Sequence, residues 1–221
     1  MEEEKQEKKY TLEKFREIIE MSLNNSINMK KRLSSNNKFA DFTLVYYSFF
    51  LIFFSLIDII FPQFFNDSWY ILLNISLSII LLIYSLENKN SRYVERIDKQ
   101  EKTINLLKTL KRNESLPIED LKEEYNKIID NTEMREDVDF HYTLKSLCKE
   151  KGVYFWRKPN FDTYSEDKRK ECERVKRYLA EHRKYTIQLK IFIDILIKFL
   201  ILLLPLVYLV IQFVVNPRGT L

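Results

Sequence analysis

The sequence predicts an all-α membrane protein, with a charged helical region between the second and third of three transmembrane helices. The first observation is a set of apolar runs of about 20 residues, the length a helix needs to cross a bilayer. These runs lie in a chain of 221 residues, of which 31% are charged. The second is that only two Gly residues occur. Since tight β-hairpins depend on Gly, this scarcity favours helices over strands. The third is that basic residues are concentrated before the first run, after the second and before the third, which places them on one side of a membrane.

Residues 1–41 are predicted to be a cytoplasmic N-terminal segment containing one amphipathic helix, over residues 11–33. Thr11 is a suitable N-cap, and the apolar residues that follow at helical spacing are Phe15, Ile18, Ile19 and Leu23. Charge surrounds this narrow apolar stripe. We therefore expect the helix to pack on a cytoplasmic helical bundle rather than lie on the membrane.

Residues 42–86 are predicted to form a transmembrane helical hairpin, with spans at 42–65 and 69–86. Only a helix satisfies every backbone hydrogen-bonding group within lipid. The connection between the two spans is so short that the helices must be antiparallel. A third span is predicted at 187–215, which leaves residues 216–221 as a short outer tail.

The distribution of basic residues predicts the orientation of these spans. The connection within the hairpin contains no Lys or Arg. Basic residues instead lie before the first span, after the second and before the third, and they include Lys30, Lys31, Arg32, Lys38, Lys89, Arg92, Arg96, Arg174, Lys176, Arg177, Arg183 and Lys184. The positive-inside rule then places the N-terminus and residues 87–186 in the cytoplasm and the C-terminus outside.

Residues 87–186 are predicted to be a cytoplasmic helical region. The second span is expected to continue as a short coiled-coil-like stalk, because residues recur at alternate spacings of four and three at Tyr93, Ile97, Gln100, Ile104 and Leu107. Residues 113–117 break this helix, and Ser115 is a suitable start for the next one. The inward face of that next helix is formed by Ile118, Leu121, Tyr125, Ile128 and Ile129.

The rest of this region contains two further helices. Asn131 and Thr132 interrupt the chain, and a helix over residues 136–151 then ends at Gly152 as C-cap. The aromatic stretch 153–164 is expected to cover the end of a helical bundle, with a ligand cage as the alternative. Ser165 begins a last charged helix that is expected to run without a break into the third span.

Four charged residues lie within the predicted spans, and they are Asp58, Lys190, Asp194 and Lys198. Asp194 and Lys198 are one helical turn apart, so they share a face and can pair. The pair either lies near the inner headgroups with Lys198 extended towards them, or faces a shared pore in an oligomer. Asp58 falls in the outer third of the first span, where it is either hydrated from the outer surface or part of a ring of carboxylates at a pore mouth.

No set of residues predicts catalysis or cofactor binding. Two Gly residues are too few for a phosphate-binding loop of the P-loop or Rossmann type. His141 and His182 are interpreted as isolated polar groups, and Cys148 and Cys172 as reduced thiols without metal-ligand spacing. A formal charge of +4 gives no reason to expect direct nucleic-acid binding. We expect a protein that is not an enzyme and has no cofactor or metal.

Four short segments carry a resemblance to a known family. They are residues 84–96, 124–129, 133 and 137–140, and the candidate motif residues within them are Tyr93, Arg96, Tyr125, Glu133, Asp137, Asp139 and Phe140. Together with the apolar hairpin and the basic stalk, they resemble the SLATT family, the two-transmembrane effector domain associated with SMODS nucleotidyltransferases and SLOG proteins. The resemblance covers roughly residues 11–140, and the extra C-terminal span is similar to the branch termed family five.

The family usually has a Tyr-containing helix, then an acidic or Asn/His segment, then Asp followed by an aromatic residue. Asp139 and Phe140 occupy that last place here. The sequence departs from some members because Glu133 and Met134 stand where those members have an Asn-His pair.

The resemblance implies a bacterial conflict-system effector in the cell inner membrane. Such a protein assembles as a homo-oligomer in the lipid bilayer and, when a partner senses infection, forms a pore or disrupts the membrane as an antiviral defence. A nucleotidyltransferase or reverse transcriptase encoded nearby is the implied signalling partner. The alternative is a membrane-anchored scaffold or sensor whose cytoplasmic helices recruit another protein.

Overall fold

A computed structural model describes residues 2–60, 67–113, 115–150, 152, 165, 166, 169, 172, 173, 175, 178, 182 and 184–215. Six helices have described bounds: α1 Glu2–Ile60, α2 Asp67–Ser91, α3 Tyr93–Arg112, α4 Ile118–Asp130, α5 Asp137–Glu150 and α6 Lys184–Val215. No strand occurs within these residues. The predicted all-α class is confirmed.

The helices contribute to two compact units. We name the first the polar unit, which comprises Met1–Leu33 and Glu95–Ile191. The second is the apolar unit, which comprises Ser34–Val94 and Phe192–Leu221. α1, α3 and α6 each supply residues to both units.

The first part of α1 packs within the polar unit. Its buried Ile19 and Leu23 join a core with four buried Leu and Ile side chains from α3 and α4, which are Ile104, Leu107, Leu110 and Leu121. The predicted packing of the N-terminal stripe on a bundle is therefore confirmed. The predicted start at Thr11 is wrong, because α1 begins at Glu2 and continues to Ile60. Residues 2–60 contain neither Gly nor Pro, so nothing in the chain stops this helix from propagating.

The junction between α2 and α3 corrects the prediction of an unbroken stalk. Arg92 has a φ of 46°, which is the left-handed region, and it separates the two helices. The preceding residues 88–91 are Asn, Lys, Asn and Ser, and Asn and Ser compete for backbone hydrogen bonds and weaken a helix. Four of the five residues of the predicted inward face of α3 are nevertheless buried, and Ile97 is half-buried. Ile104 and Leu107 pack in the core of the polar unit rather than along a separate stalk.

The break between α3 and α4 lies where it was predicted, but Ser115 does not cap α4. The N-cap is Pro117, and the Ser115 hydroxyl donates instead to Asn113 Oδ1 at 2.9 Å. α4 turns Leu121 into the core, with Tyr125 and Ile128 packed against it, as predicted. The interruption at residues 131 and 132 is also confirmed.

The ends of α5 and α6 test the remaining helix predictions. Gly152 has a φ of 67° just after α5, which confirms it as the C-cap. Ser165 precedes helical Glu166, and the Arg169 N–H donates to the Ser165 carbonyl at 3.0 Å. His182 lies in a bend and α6 begins only at Lys184, so the predicted unbroken run into the third span is wrong. The aromatic stretch 153–164, the loop 61–66 and the tail 216–221 lie outside the described residues.

The apolar unit is a bundle of α1, α2 and α6. Its core contains Tyr47, Phe50 and Phe54 of α1 and Leu73 and Leu77 of α2, with α6 side chains packed against them. Large apolar side chains remain exposed around this core, for example Ile59 at 74%, Val45 at 71% and Val214 at 72%. An apolar surface this extensive is expected to face lipid rather than water.

Within the part of the chain that the structure describes, two helices are long and apolar enough to cross a membrane, over Thr11–Ile60 and Tyr185–Ile211. Tyr70–Leu86 is a shorter apolar helix and corresponds to the predicted second span. The first and third predicted spans thus meet this criterion of length and composition. The number of crossings stays a prediction.

Candidate functional site

A buried carboxylate is the centre of the polar contacts in the polar unit. Asp139, on the first turn of α5, is completely buried. Its two oxygens accept hydrogen bonds from Arg32 of α1, at 2.9 Å from Nε and 3.1 Å from Nη2. Arg32 Nη1 also donates to Glu136 at 2.7 Å. A planar guanidinium that binds both oxygens of a carboxylate forms one of the strongest ion pairs in proteins.

The same carboxylate organises the start of α5. Asp139 Oδ2 accepts the Glu136 N–H at 3.1 Å, next to the positive end of the helix dipole. One turn later, Thr143 donates to the Asp139 carbonyl and accepts from Asn28 of α1 at 2.9 Å. Burial alone would lower the pKa of Arg32, but its hydrogen bond and charge interaction with Asp139 raise that pKa overall. These contacts hold α1 and α5 together.

A second ion pair joins two segments that carry candidate motif residues. Arg96 of α3 binds Glu133, in the connection before α5, with Nε at 3.0 Å from Oε2 and Nη2 against Oε1. Lys190 of α6 forms an ion pair with Glu136, with Nζ 3.6 Å from Oε2. Arg96 and Glu133 are 37 residues apart in the chain, and the structure brings these two candidate motif residues together.

The other candidate motif residues have different environments. Tyr125 shares a 2.7 Å hydrogen bond with Ser22 and packs edge-to-face on Phe15, with ring centroids 5.4 Å apart. Tyr93 is 8% exposed and belongs to the apolar unit. Asp137 is exposed, and Phe140 is half-buried. The structure nevertheless brings four of the seven candidate motif residues together at one cavity, which is lined by Tyr125, Glu133, Asp137 and Phe140.

The two histidines of the chain form a pair, which corrects their interpretation as isolated groups. His141 Nδ1 and His182 Nε2 are 2.9 Å apart, and His141 is 3% exposed. Burial, with smaller contributions from His182 and Lys145, lowers the pKa of His141 to about 4. Burial also lowers the pKa of His182. Both rings are therefore neutral at pH 7, and one donates its N–H to the other.

Metal and thiol chemistry have little support in the described part of the chain. No group of three or more His, Cys, Asp or Glu side chains there is arranged to hold a metal ion. Cys148 and Cys172 are free and buried. Burial, and then the neighbouring Cys172 thiol, raise the pKa of Cys148 to about 11, so this thiol is un-ionised and unreactive at neutral pH.

A cavity of about 840 Å³ lies within the polar unit. Its wall combines apolar side chains from α1, α4 and α6 with polar groups from α1, from the connection before α5 and from the start of α5. The lining includes Met21, Asn25, Met29, Met134, Arg135 and Asp137. Such a volume fits a small organic ligand.

The predicted pairing of Asp194 and Lys198 in the apolar unit is confirmed. Lys198 Nζ lies 2.6 Å from Asp194 Oδ2 and donates to Asn36 Oδ1 of α1 at 3.0 Å. The same ammonium lies 5.5 Å from the centre of the Phe39 ring. Asp58 is half-buried elsewhere on α1 and makes no hydrogen bond or ion pair with the described residues.

A proline within α6 creates a second contact between α1 and α6 in the apolar unit. Pro205 has no N–H, so the carbonyl of Ile201, four residues earlier, has no partner within the helix. The Tyr47 hydroxyl donates to this carbonyl at 2.6 Å, and the Tyr46 hydroxyl donates to the next carbonyl, that of Leu202, at 2.7 Å. Tyr47 is completely buried. Its hydroxyl replaces the backbone hydrogen bond that Pro205 removes.

We expect Tyr47→Phe to destabilise the apolar unit by about 1–3 kcal/mol, because it leaves the Ile201 carbonyl unsatisfied. Pro205→Leu restores the helical N–H, so Tyr47→Phe should cost much less in that background. The measurement is a double-mutant cycle of thermal unfolding in detergent micelles, followed by circular dichroism. Equal costs of Tyr47→Phe in the two backgrounds would contradict this role.

Several of these contacts were not found from the sequence. The sequence predicts Arg32 only as one of the basic residues before the first span, and Glu136 only as the start of a helix. The available signal was Pro205, since a proline inside a span requires a donor from another helix. By contrast, no local pattern links Arg32 to Asp139 or His141 to His182.

A family model described as SMODS and SLOG-associating 2TM effector domain family 5 matches residues 8–212. No curated protein and no solved structure matches the chain.

Proposed function

Because the chain belongs to the SMODS and SLOG-associating 2TM effector domain family 5, we propose that it is a non-enzymatic membrane effector of a bacterial antiphage defence system. It oligomerises in the inner membrane and forms or gates a pore when signalled from the cytoplasm. The signalling partner is a protein encoded nearby, such as a nucleotidyltransferase or a reverse transcriptase. The N-terminus and residues 87–186 are cytoplasmic, and the C-terminus is outside.

The observation that carries this proposal is the charged pair on α6 in the apolar unit. The Asp194 side chain is 60% exposed, although the surrounding surface of α6 is apolar. A carboxylate exposed to lipid is costly, so it needs water or another protein surface around it. Lys198 is held by Asp194 and Asn36, which restricts its extension towards the headgroups. If several copies of the chain placed the Asp194 and Lys198 face of α6 around a water-filled path, the water would hydrate the carboxylate.

The proposal is tested by expressing the chain in bacteria and following membrane potential with a voltage-sensitive dye. We expect the wild type to depolarise the cells, and Asp194→Leu and Lys198→Met to abolish most of that effect. The swapped double variant, Asp194→Lys with Lys198→Asp, keeps both charges and should retain depolarisation. Lys190→Met, a change in the polar unit, is the control for loss of a Lys from α6.

All variants must be compared at equal amounts in the membrane fraction. Intact membrane potential with the wild type inserted and its partner co-expressed would overturn pore formation.

A membrane-anchored scaffold or sensor is the second candidate, and the cavity of the polar unit favours it. In that case, the spans are passive anchors. A scaffold would keep its cellular activity when Asp58, Asp194 and Lys198 are replaced by apolar residues, whereas a pore would lose it. Growth arrest after phage challenge, measured on this triple variant, separates the two candidates.

A further inference from the structure

We infer that the cavity of the polar unit is a binding site for a small organic molecule with an aromatic or apolar body, one anionic group and a hydrogen-bond donor. The inference concerns binding only. It therefore stands or fails separately from membrane depolarisation.

The wall of the cavity is suited to an apolar or aromatic body. The chain contains four Met residues, and all three after Met1 line this cavity: Met21, Met29 and Met134. Tyr125, Tyr178 and Phe140 add aromatic surface. Thioether side chains are flexible and polarizable, and they make favourable contacts with aromatic rings. A planar apolar ligand would contact both kinds of side chain.

Arg135 supplies the group that would bind an anion. Its guanidinium carbon lies 4.1 Å from the centre of the Phe140 ring, and the two form a cation–π contact. Within the described residues Arg135 makes no hydrogen bond and no ion pair, so its N–H donors are available. A guanidinium in a fixed plane binds a carboxylate or a phosphate through two parallel hydrogen bonds.

Asn25 supplies the acceptor. It is 7% exposed and lines the cavity from α1. Its Oδ1 atom is buried and has no hydrogen-bond partner among the described residues. A buried acceptor without a partner is unfavourable, and a ligand O–H or N–H would relieve that cost.

The remaining charges limit the ligand to few negative charges. Glu133 also lines the cavity, but it is paired with Arg96 and does not compete for Arg135. Asp137 lies on the same wall and would repel a polyanion. A single carboxylate or phosphate on an apolar body fits this balance.

The test uses 6-hydroxy-2-naphthoate, which has an aromatic body, one carboxylate and one O–H donor. Binding to the full chain in phosphatidylcholine nanodiscs is measured by isothermal titration calorimetry, with empty nanodiscs as the blank. We expect saturable binding to one site. We expect Arg135→Gln to weaken it about tenfold or more, since the lost hydrogen bonds are to charged groups. Arg112→Gln, at the end of α3, is the matched control and should bind like the wild type.

Two further comparisons test the acceptor. The wild type should prefer 6-hydroxy-2-naphthoate to 2-naphthoate, which lacks the donor, and Asn25→Leu should lose that preference. 2-Naphthol, which lacks the carboxylate, should bind weakly to the wild type and equally weakly to Arg135→Gln. No binding above empty nanodiscs, or equal weakening by Arg135→Gln and Arg112→Gln, would overturn the inference. Circular dichroism confirms that each variant is folded.

Discussion

Replacing Asp139 by Ala is expected to lower the free energy of unfolding of the polar unit by about 3–5 kcal/mol. The change leaves the Arg32 side chain, 18% exposed, without the completely buried carboxylate that binds two of its nitrogens. An ion that is left largely buried and unpaired accounts for most of this cost. The start of α5 also loses the acceptor for the Glu136 N–H.

The measurement is thermal unfolding of the full chain in detergent micelles, followed by circular dichroism. Asp137→Ala is the matched control, since it removes an exposed carboxylate two residues away on the same helix. Its effect should stay within about 0.5 kcal/mol, as for most surface substitutions. Replacing both partners, as Arg32→Met with Asp139→Leu, should recover much of the lost stability because no unpaired charge remains. Equal effects of Asp137→Ala and Asp139→Ala would show that the ion pair is unimportant.

The polar unit should lose stability as the pH falls from about 6.5 towards 4, because its two histidines are paired in the neutral form. The pKa of His141 is lowered from 6.5 to about 4 in the folded chain. Between these values the unfolded chain binds a proton that the folded chain does not, so acid favours unfolding. The stabilising contribution is complete above pH 6.5 and is lost through this interval. A pKa difference of this size corresponds to roughly 3 kcal/mol in total, and to about 2 kcal/mol by pH 5.

Thermal unfolding at pH 7.5 and pH 5 tests this expectation. The chain has no other histidines, and unperturbed Asp and Glu carboxyls titrate lower, near 3.9 and 4.3. We expect the wild type to unfold at a lower temperature at pH 5. His141→Gln, which removes the titrating ring, should show a much smaller difference between the two conditions. A pH dependence that is unchanged in this variant would assign the effect to other groups.

The sequence was sufficient to predict what depends on composition and local spacing. The apolar runs identified α1, α2 and α6, and the spacing of Leu121, Tyr125 and Ile128 identified the inward face of α4. The pairing of Asp194 and Lys198 followed from one helical turn of separation. Each of these depends on residues close together in the chain.

Helix ends were harder to predict, because local signals compete with packing. Thr11 has the chemistry of an N-cap, yet α1 starts earlier, since good helix formers precede it and no breaker intervenes. Ser115 bonds to Asn113 rather than to a backbone N–H of α4. Arg92 separates α2 from α3 although neither Gly nor Pro is present there. In each case, the residue type allowed more than one arrangement.

The contacts of the candidate site could not be predicted at all from local pattern. Arg32 and Asp139 are 107 residues apart, and His141 and His182 are 41 apart. Their pairing depends on which faces of α1 and α5 meet, and neither composition nor spacing specifies that. The cavity has the same origin, since its wall is drawn from α1, α4, α5 and α6.

The hydrogen bond from Tyr47 to the Ile201 carbonyl, which Pro205 leaves without a helical partner, favours one rotation of α6 about its axis relative to α1 inside the apolar unit. If α6 turned about its axis or slid by one residue, the Ile201 carbonyl would leave the Tyr47 hydroxyl and face hydrocarbon unpaired. That penalty makes sliding unfavourable. A rearrangement of the apolar unit that keeps this hydrogen bond carries α1 and α6 together, and relative motion then occurs at other helix contacts.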